Sequence, residues 1–118
     1  MLSKVQLLVD LGFAFDYYSI LEIKKDLNLI KQDIINSIKE HLSHQITTSS
    51  FECIINSKEY KTLLDANKQT FDAVERARYG EISAKEVDDC NMLRYNAKIN
   101  LQKAFAIDSN ESIIEIKS

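Results

Sequence analysis

Three groups of charged and amide side chains stand at helical spacing in this chain, and any chemistry it performs would centre on them. The first is Asp16, Glu22 and Lys24. The second is Asn67, Asp72, Glu75 and Arg78, and the third is Asn91, Arg94 and Lys98. A helical stripe that faces a core does not carry an amide, a guanidinium and an ammonium unless partners wait for them. Arg78, Arg94 and Lys98 would hold an anion, because the Arg fork donates two parallel hydrogen bonds to phosphate or carboxylate. Asp16, Glu22 and Glu75 would orient them or contact hydroxyls. On this reading the ligand-binding set is Asp16, Glu22, Lys24, Asn67, Glu75, Arg78, Asn91, Arg94 and Lys98. The opposing reading is a carboxylate–guanidinium network that only sets the register of packed helices. Glu75 or Asp16 could act as acid or base, but no nucleophile has a neighbouring base at a convincing spacing, so no reaction is assigned.

Other motifs add little. Glu40, His41 and His44 spell E-H-x-x-H. The helical zinc motif has histidines four apart with the Glu between them. Here the spacing is three and the Glu lies outside, so neither a metal nor a cofactor is expected. Two glycines cannot build a Gly-rich phosphate loop. Paired E-x-x-E clusters of the helical pyrophosphohydrolase type are missing. Tyr17 and Tyr18 read as packing residues.

The elements that must position these groups are helices. Ser83-Ala84-Lys85-Glu86 is a capping box. It opens a helix whose stripe is Val87, Asn91, Arg94, Lys98, Leu101 and Phe105, apolar at both ends and polar in the middle. Ser57 caps a helix from Lys58 to Tyr79, with the stripe Tyr60, Leu63/Leu64, Asn67, Phe71, Val74 and Arg78; Gly80 ends it as a left-handed cap. So short a connection makes the two an antiparallel hairpin. That hairpin would let Arg94 reach back to Asp72 or Glu75, and set Glu75 near Asp88 and Asn91 and Phe71 near Met92.

Upstream, Ser3 is expected to cap a first helix carrying Val5, Leu8, Leu11/Gly12, Phe15, Ile20, Ile23 and Leu27. Gly12 inside it costs up to ~1 kcal/mol against Ala, which implies a close packing contact. An unbroken helix over 3–45 would span roughly 60 Å. A break is therefore expected near Asp26–Asn28, followed by a stripe of Leu27, Ile30, Ile34, Ile38 and Leu42. Ser50 would open a short helical turn over Phe51, Ile54 and Ile55. The tail patch Ile113, Ile114 and Ile116 is expected to pack back, since free tails seldom carry three isoleucines.

Bulk composition agrees. The 118 residues suit one domain, 1–118, with no Pro and 45% hydrophobic residues. The expected fold is all-α, an antiparallel up-down-up-down bundle of about four helices. A net charge of -3 without a basic patch argues against a nucleic-acid partner. No apolar run approaches a membrane span, and the N-terminus, interrupted by Asp10, does not read as a signal peptide. Cys53 and Cys90 sit beside apolar neighbours and are expected to be buried and reduced, which suits a cytoplasmic protein.

Gly12-Phe13-Ala14-Phe15-Asp16-Tyr17-Tyr18-Ser19-Ile20-Leu21-Glu22-Ile23-Lys24 resembles a G-x-x-x-D-K-[LI]-[ST]-I-L-E-I-K signature. Asn67, Phe71-Asp72, Glu75 and Arg78 are similar to N-x-x-L-W-[DE]-x-x-[DE]-x-x-R. Asn91, Arg94 and Lys98 are similar to N-D-x-R-x-x-x-K, and Ser112–Lys117 to S-x-[IL]-[VI]-E-x-K. These signatures mark a family of small helical bacterial proteins of unassigned activity, and the likeness touches most of the chain in the same order. Tyr17 stands where the family has Lys, Phe71 where it has Trp, and Met92 where it has Asp. The resemblance implies association with glycosyltransferases and surface polysaccharide, hence a sugar or nucleotide-sugar ligand. The alternative is a protein–protein interaction module, a homodimer or a glycosyltransferase partner, docking through the second-helix stripe or the isoleucine tail.

Overall fold

The computed structural model describes residues 8–106 and, for the backbone, 113–115. The order is β1 (Leu8–Asp10), α1 (Leu11–Asp26), α2 (Gln32–Ile46), α3 (Thr48–Ile55), α4 (Lys58–Arg78), α5 (Ala84–Phe105) and β2 (Ile113–Glu115). Apart from one two-stranded pairing the described residues are all-helical, and they hold five helices rather than about four. The fifth is α3, expected as a turn opened by Ser50. Thr47 caps it instead, its Oγ1 accepting from the Ser50 amide at 3.1 Å. Thr47 does so at φ 80, ψ 149, a strained conformation for a β-branched residue.

The first helix also starts later than Ser3 would suggest. Leu8, Val9 and Asp10 are extended and pair antiparallel with Glu115, Ile114 and Ile113. Asp10 is the cap, its carboxylate accepting from the Phe13 amide at 2.7 Å. The backbone at Ile113 and Ile114 thus returns to the fold as expected. Ser3, Val5 and Ile116 lie outside the described residues.

The expected break near Asp26–Asn28 is present, with Asn28 as its agent. Asn28 takes φ 60, and Leu29 and Asn28 donate to the carbonyls of Lys24 (2.8 Å) and Lys25 (3.0 Å). Asn28 therefore ends α1 as a left-handed cap, and Lys31 is the residue before α2. Because α2 leaves this turn with its own phase, its inward residues are Ile35, Ile38, Leu42 and Ile46, while Ile34 and Leu27 are exposed.

The α4–α5 hairpin forms as its caps dictate. The Ser57 hydroxyl accepts from Tyr60 N–H and the Ser83 hydroxyl from Glu86 N–H. Gly80 sits at φ 72, with Glu81 N–H donating to the Arg76 carbonyl at 2.9 Å. The Thr70 hydroxyl donates across to the Cys90 carbonyl at 3.2 Å.

Into this hairpin α1 packs parallel to α4 and antiparallel to α5. Phe15 lies beside Tyr60 and Ser19 beside Asn67, while Gly12 faces Lys98 and Gln102, and Asp16 faces Arg94. A Cβ on Gly12 would sit 2.8 Å from the Lys98 carbonyl oxygen, and the Gly12 amide donates to Gln102 Oε1 at 2.7 Å. That is the close contact the glycine implied. Phe15, Tyr18, Phe51 and Tyr60 form the aromatic centre of the core, with ring centroids 5.2 to 6.5 Å apart. Cys53 is exposed and Cys90 half-buried, both free, contrary to the expectation of burial. Phe51 and Ile54 take the inward positions of α3 and leave Cys53 on its outer face. No helix among the described residues is long and apolar enough to cross a membrane.

Candidate functional site

Asp16 and Ser19 stand three residues apart on the face of α1 that meets the hairpin. Asn67 and Arg94 meet them from mid-α4 and mid-α5. Arg94 grips Asp16 with two bonds, Nε to Oδ1 at 3.1 Å and Nη2 to Oδ2 at 2.8 Å. Asn67 Nδ2 donates to Asp16 Oδ1 at 3.0 Å and to Ser19 Oγ at 2.6 Å, and the Ser19 hydroxyl donates to the Asp16 carbonyl at 2.7 Å. Asp16, Ser19 and Asn67 are buried; only the Arg94 side chain, 32% exposed, reaches solvent.

Burial alone would push the Asp16 carboxyl up. The Arg94 and Asn67 hydrogen bonds and the charges of Arg94 and Lys98 outweigh it and hold its pKa below the ordinary value. The same bond to Asp16 raises Arg94, against its own burial. Asp16 is thus a sealed, three-fold hydrogen-bonded carboxylate. It is unsuited to general-base work, which needs a free lone pair and a pKa near the working pH.

Arg94 does not reach Asp72 or Glu75 as its place in the hairpin suggested. Its partner comes from the first helix. The contact at Gly12 draws α1 close to α5, and one turn on from Gly12 that closeness delivers Asp16 to the guanidinium. The G-x-x-x-D spacing was the available signal.

The remaining candidates divide by place. Lys98 lies beside the network, its Nζ 5.8 Å from the Phe13 ring centroid. From that contact, one antiparallel turn sets Tyr17 at the level of Arg94, and Lys24 continues the same flank of α1. Asn91 is exposed on the facing flank of α5, its amide donating to the Val87 carbonyl at 3.3 Å. Asn91, Arg94 and Lys98 thus share one face of α5, and Lys24 shares the Tyr17 flank of α1 two turns further on. Glu22 lies on the other side of α1, accepting from the Tyr60 hydroxyl at 2.5 Å. It lines a separate polar cleft of about 250 Å³ with Lys25, Asn36 and Lys39. Glu75 and Arg78 pair with each other at 3.2 Å on the surface of α4, apart from the network.

Ser19 and Tyr60 are functional neighbours that sequence reasoning misses. Ser19 shares the Asp16 face at a spacing of three, a signal that could reveal it. Tyr60 reads as one more apolar-stripe residue, yet it is the buried donor that fixes Glu22. Burial pushes the Tyr18 phenol up to about 12, aided by Glu22 and Glu52, and drives Tyr60 well above the ordinary tyrosine range. Among the described residues no group of three or more His, Cys, Asp or Glu is placed to hold a metal ion. No family model, curated protein or solved structure matches the chain.

Proposed function

We propose that this is a small helical binding protein whose α1–α5 seam takes an anionic ligand, with the Asp16–Asn67–Arg94 network holding the seam in shape. One observation carries the reading. Arg94 and Lys98 stand beside half-exposed Phe13 and Tyr17, Lys24 lies two turns further along α1, and neither lysine has an ion pair within 4 Å among the described residues. Asp16 spends its hydrogen bonds on Arg94 and Asn67 and meets Lys98 through charge alone. Cations beside exposed rings suit a phosphorylated sugar, whose phosphate takes the charge and whose apolar ring face stacks. The polysaccharide-associated resemblance supports the same ligand class, and two unpaired cysteines support a cytoplasmic setting. The four long helices read as an up-down-up-down bundle with α3 as a short insert.

A thermal-shift screen with sugar phosphates and nucleotide sugars tests this. The melting temperature of the wild type rises with ligand concentration, and a Lys24→Gln/Lys98→Gln variant loses the response. If no such ligand moves the transition, the binding reading fails. The competing reading is an interaction module, with the network serving register alone. It draws on the apolar side chains Leu27, Leu29 and Ile34, exposed around the α1–α2 turn. In that case the chain sediments as a dimer or elutes with a glycosyltransferase, and ligands have no effect.

A further inference from the structure

On the side of α1 away from the α1–α5 seam, two helical faces meet around the polar cleft. Tyr18, Glu22 and Lys25 recur at steps of four and three on α1, and Gln32, Asn36 and Lys39 recur likewise on α2. The chain folds back after the Asn28 turn, so both faces line one cleft of about 250 Å³. That lies below the ~300–1,000 Å³ of sites for drug-sized ligands, so an occupant must be small. Most charges at the cleft are already matched. Lys25 has Asp26 at 3.9 Å, while Lys39 has Glu52 at 3.5 Å and stands over the Phe51 ring. Glu22 is the exception. One carboxylate oxygen accepts from the Tyr60 hydroxyl, a neutral and almost fully buried donor, and the residue has no ion pair within 4 Å among the described residues. Its charge adds to burial in pushing the Tyr18 phenol up to about 12. At the mouth, Gln32 Nε2 donates to Asn36 Oδ1 at 2.9 Å, which leaves the Gln32 carbonyl and the Asn36 amino group without a partner among the described residues.

We propose that this cleft binds a small hydroxylated primary amine. Its ammonium would pair with the open oxygen of Glu22, and its hydroxyls would meet the Gln32 carbonyl and the Asn36 amino group. Ile35 and Leu64, which also line the cleft, would take the apolar face of the ligand body. Tyr60 fixes Glu22 from behind, so the carboxylate is held in place before the ligand arrives. The proposal is independent of the α1–α5 seam, whose ligand is an anion.

The test is an NMR titration of the full nitrogen-15-labelled chain, read at the side-chain amides of Gln32 and Asn36. The probes are glucosamine, glucose, and the amide of Nα-acetyl-lysine. Saturable shifts with glucosamine and none with glucose are expected, since glucose keeps the body and lacks the ammonium. Glu22→Gln retains an acceptor for Tyr60 and weakens binding by about tenfold or more. Asn36→Lys, at an exposed position, sets a cation at the mouth, weakens binding similarly, and carries the test if Glu22→Gln does not fold. Asp65→Asn, which removes a carboxylate elsewhere on α4, leaves binding unchanged. Absence of glucosamine shifts, equal shifts with glucose, or undiminished binding by Glu22→Gln overturns the proposal. So does binding of the lysine amide without glucosamine, which would give the cleft to a lysine side chain of another protein.

Discussion

Arg94 and Asp16 form a pair whose two members stand in different surroundings. The guanidinium keeps a third of its surface in water, whereas the carboxylate is almost wholly sealed. Removing the cation strands a buried charge, which is the costly way to break such a pair. Arg94→Met is expected to lower stability by about 3 kcal/mol, read as a drop in denaturation midpoint. Asp16→Leu/Arg94→Met should recover part of that loss, since no buried charge remains although the Asn67 amide gives up one acceptor. If Arg94→Met instead melts like the wild type, the arginine serves a ligand and not the fold. Proton linkage gives a second check. The Asp16 carboxyl titrates lower folded than unfolded. Its contribution is therefore fully present above the unfolded value near 3.9 and is lost as pH falls through the folded one. Stability measured below pH ~4 should decline less steeply in Asp16→Asn than in the wild type.

At the scale of elements, Gly12 shows a helix interior where propensity and packing disagree. Alanine is the better helix former by up to ~1 kcal/mol. Yet its Cβ would press on the Lys98 carbonyl, a backbone atom that cannot rotate away. Gly12→Ala should therefore destabilise by about 1–3 kcal/mol, because α1 must move off α5. The displacement would also lengthen the Asp16–Arg94 bonds, so Gly12→Ala and Arg94→Met should combine less than additively in a double-mutant cycle. The hairpin turn offers a contrast. Gly80 has φ 72, and a Cβ added there would meet nothing within 4 Å, so Gly80→Ala tests backbone strain alone. A loss of roughly 1 kcal/mol is expected at that site.

For the whole molecule, the core is aromatic and contains two phenols. Folding holds Tyr18 near 12 and Tyr60 higher, so both keep their protons in the native state after an unfolded chain would lose them. The sign is that of a raised acid group: the stabilisation is intact below pH ~10 and disappears as pH rises through the folded values. Alkaline unfolding monitored by tyrosinate absorbance should be cooperative in the wild type. Tyr60→Phe should resist alkali better while losing about 1 kcal/mol near neutrality, because Glu22 then lacks its donor.

Much of the local structure was legible in the chain. Ser57, Ser83 and Gly80 act within three or four residues of themselves, so their hydrogen bonds depend on nothing distant. Gly12 announced a close contact because no local reason accounts for a glycine there. The identity of that contact was another matter. Arg94 had carboxylates nearer in sequence at Asp72 and Glu75, and its partner lies 78 residues away. Which carboxylate it meets depends on how deeply α1 sinks between α4 and α5. The phase of α2 and the exposure of Cys53 were likewise decided by docking. Periodicity reports which residues share a face of one helix, and only the assembled helices determine what that face meets.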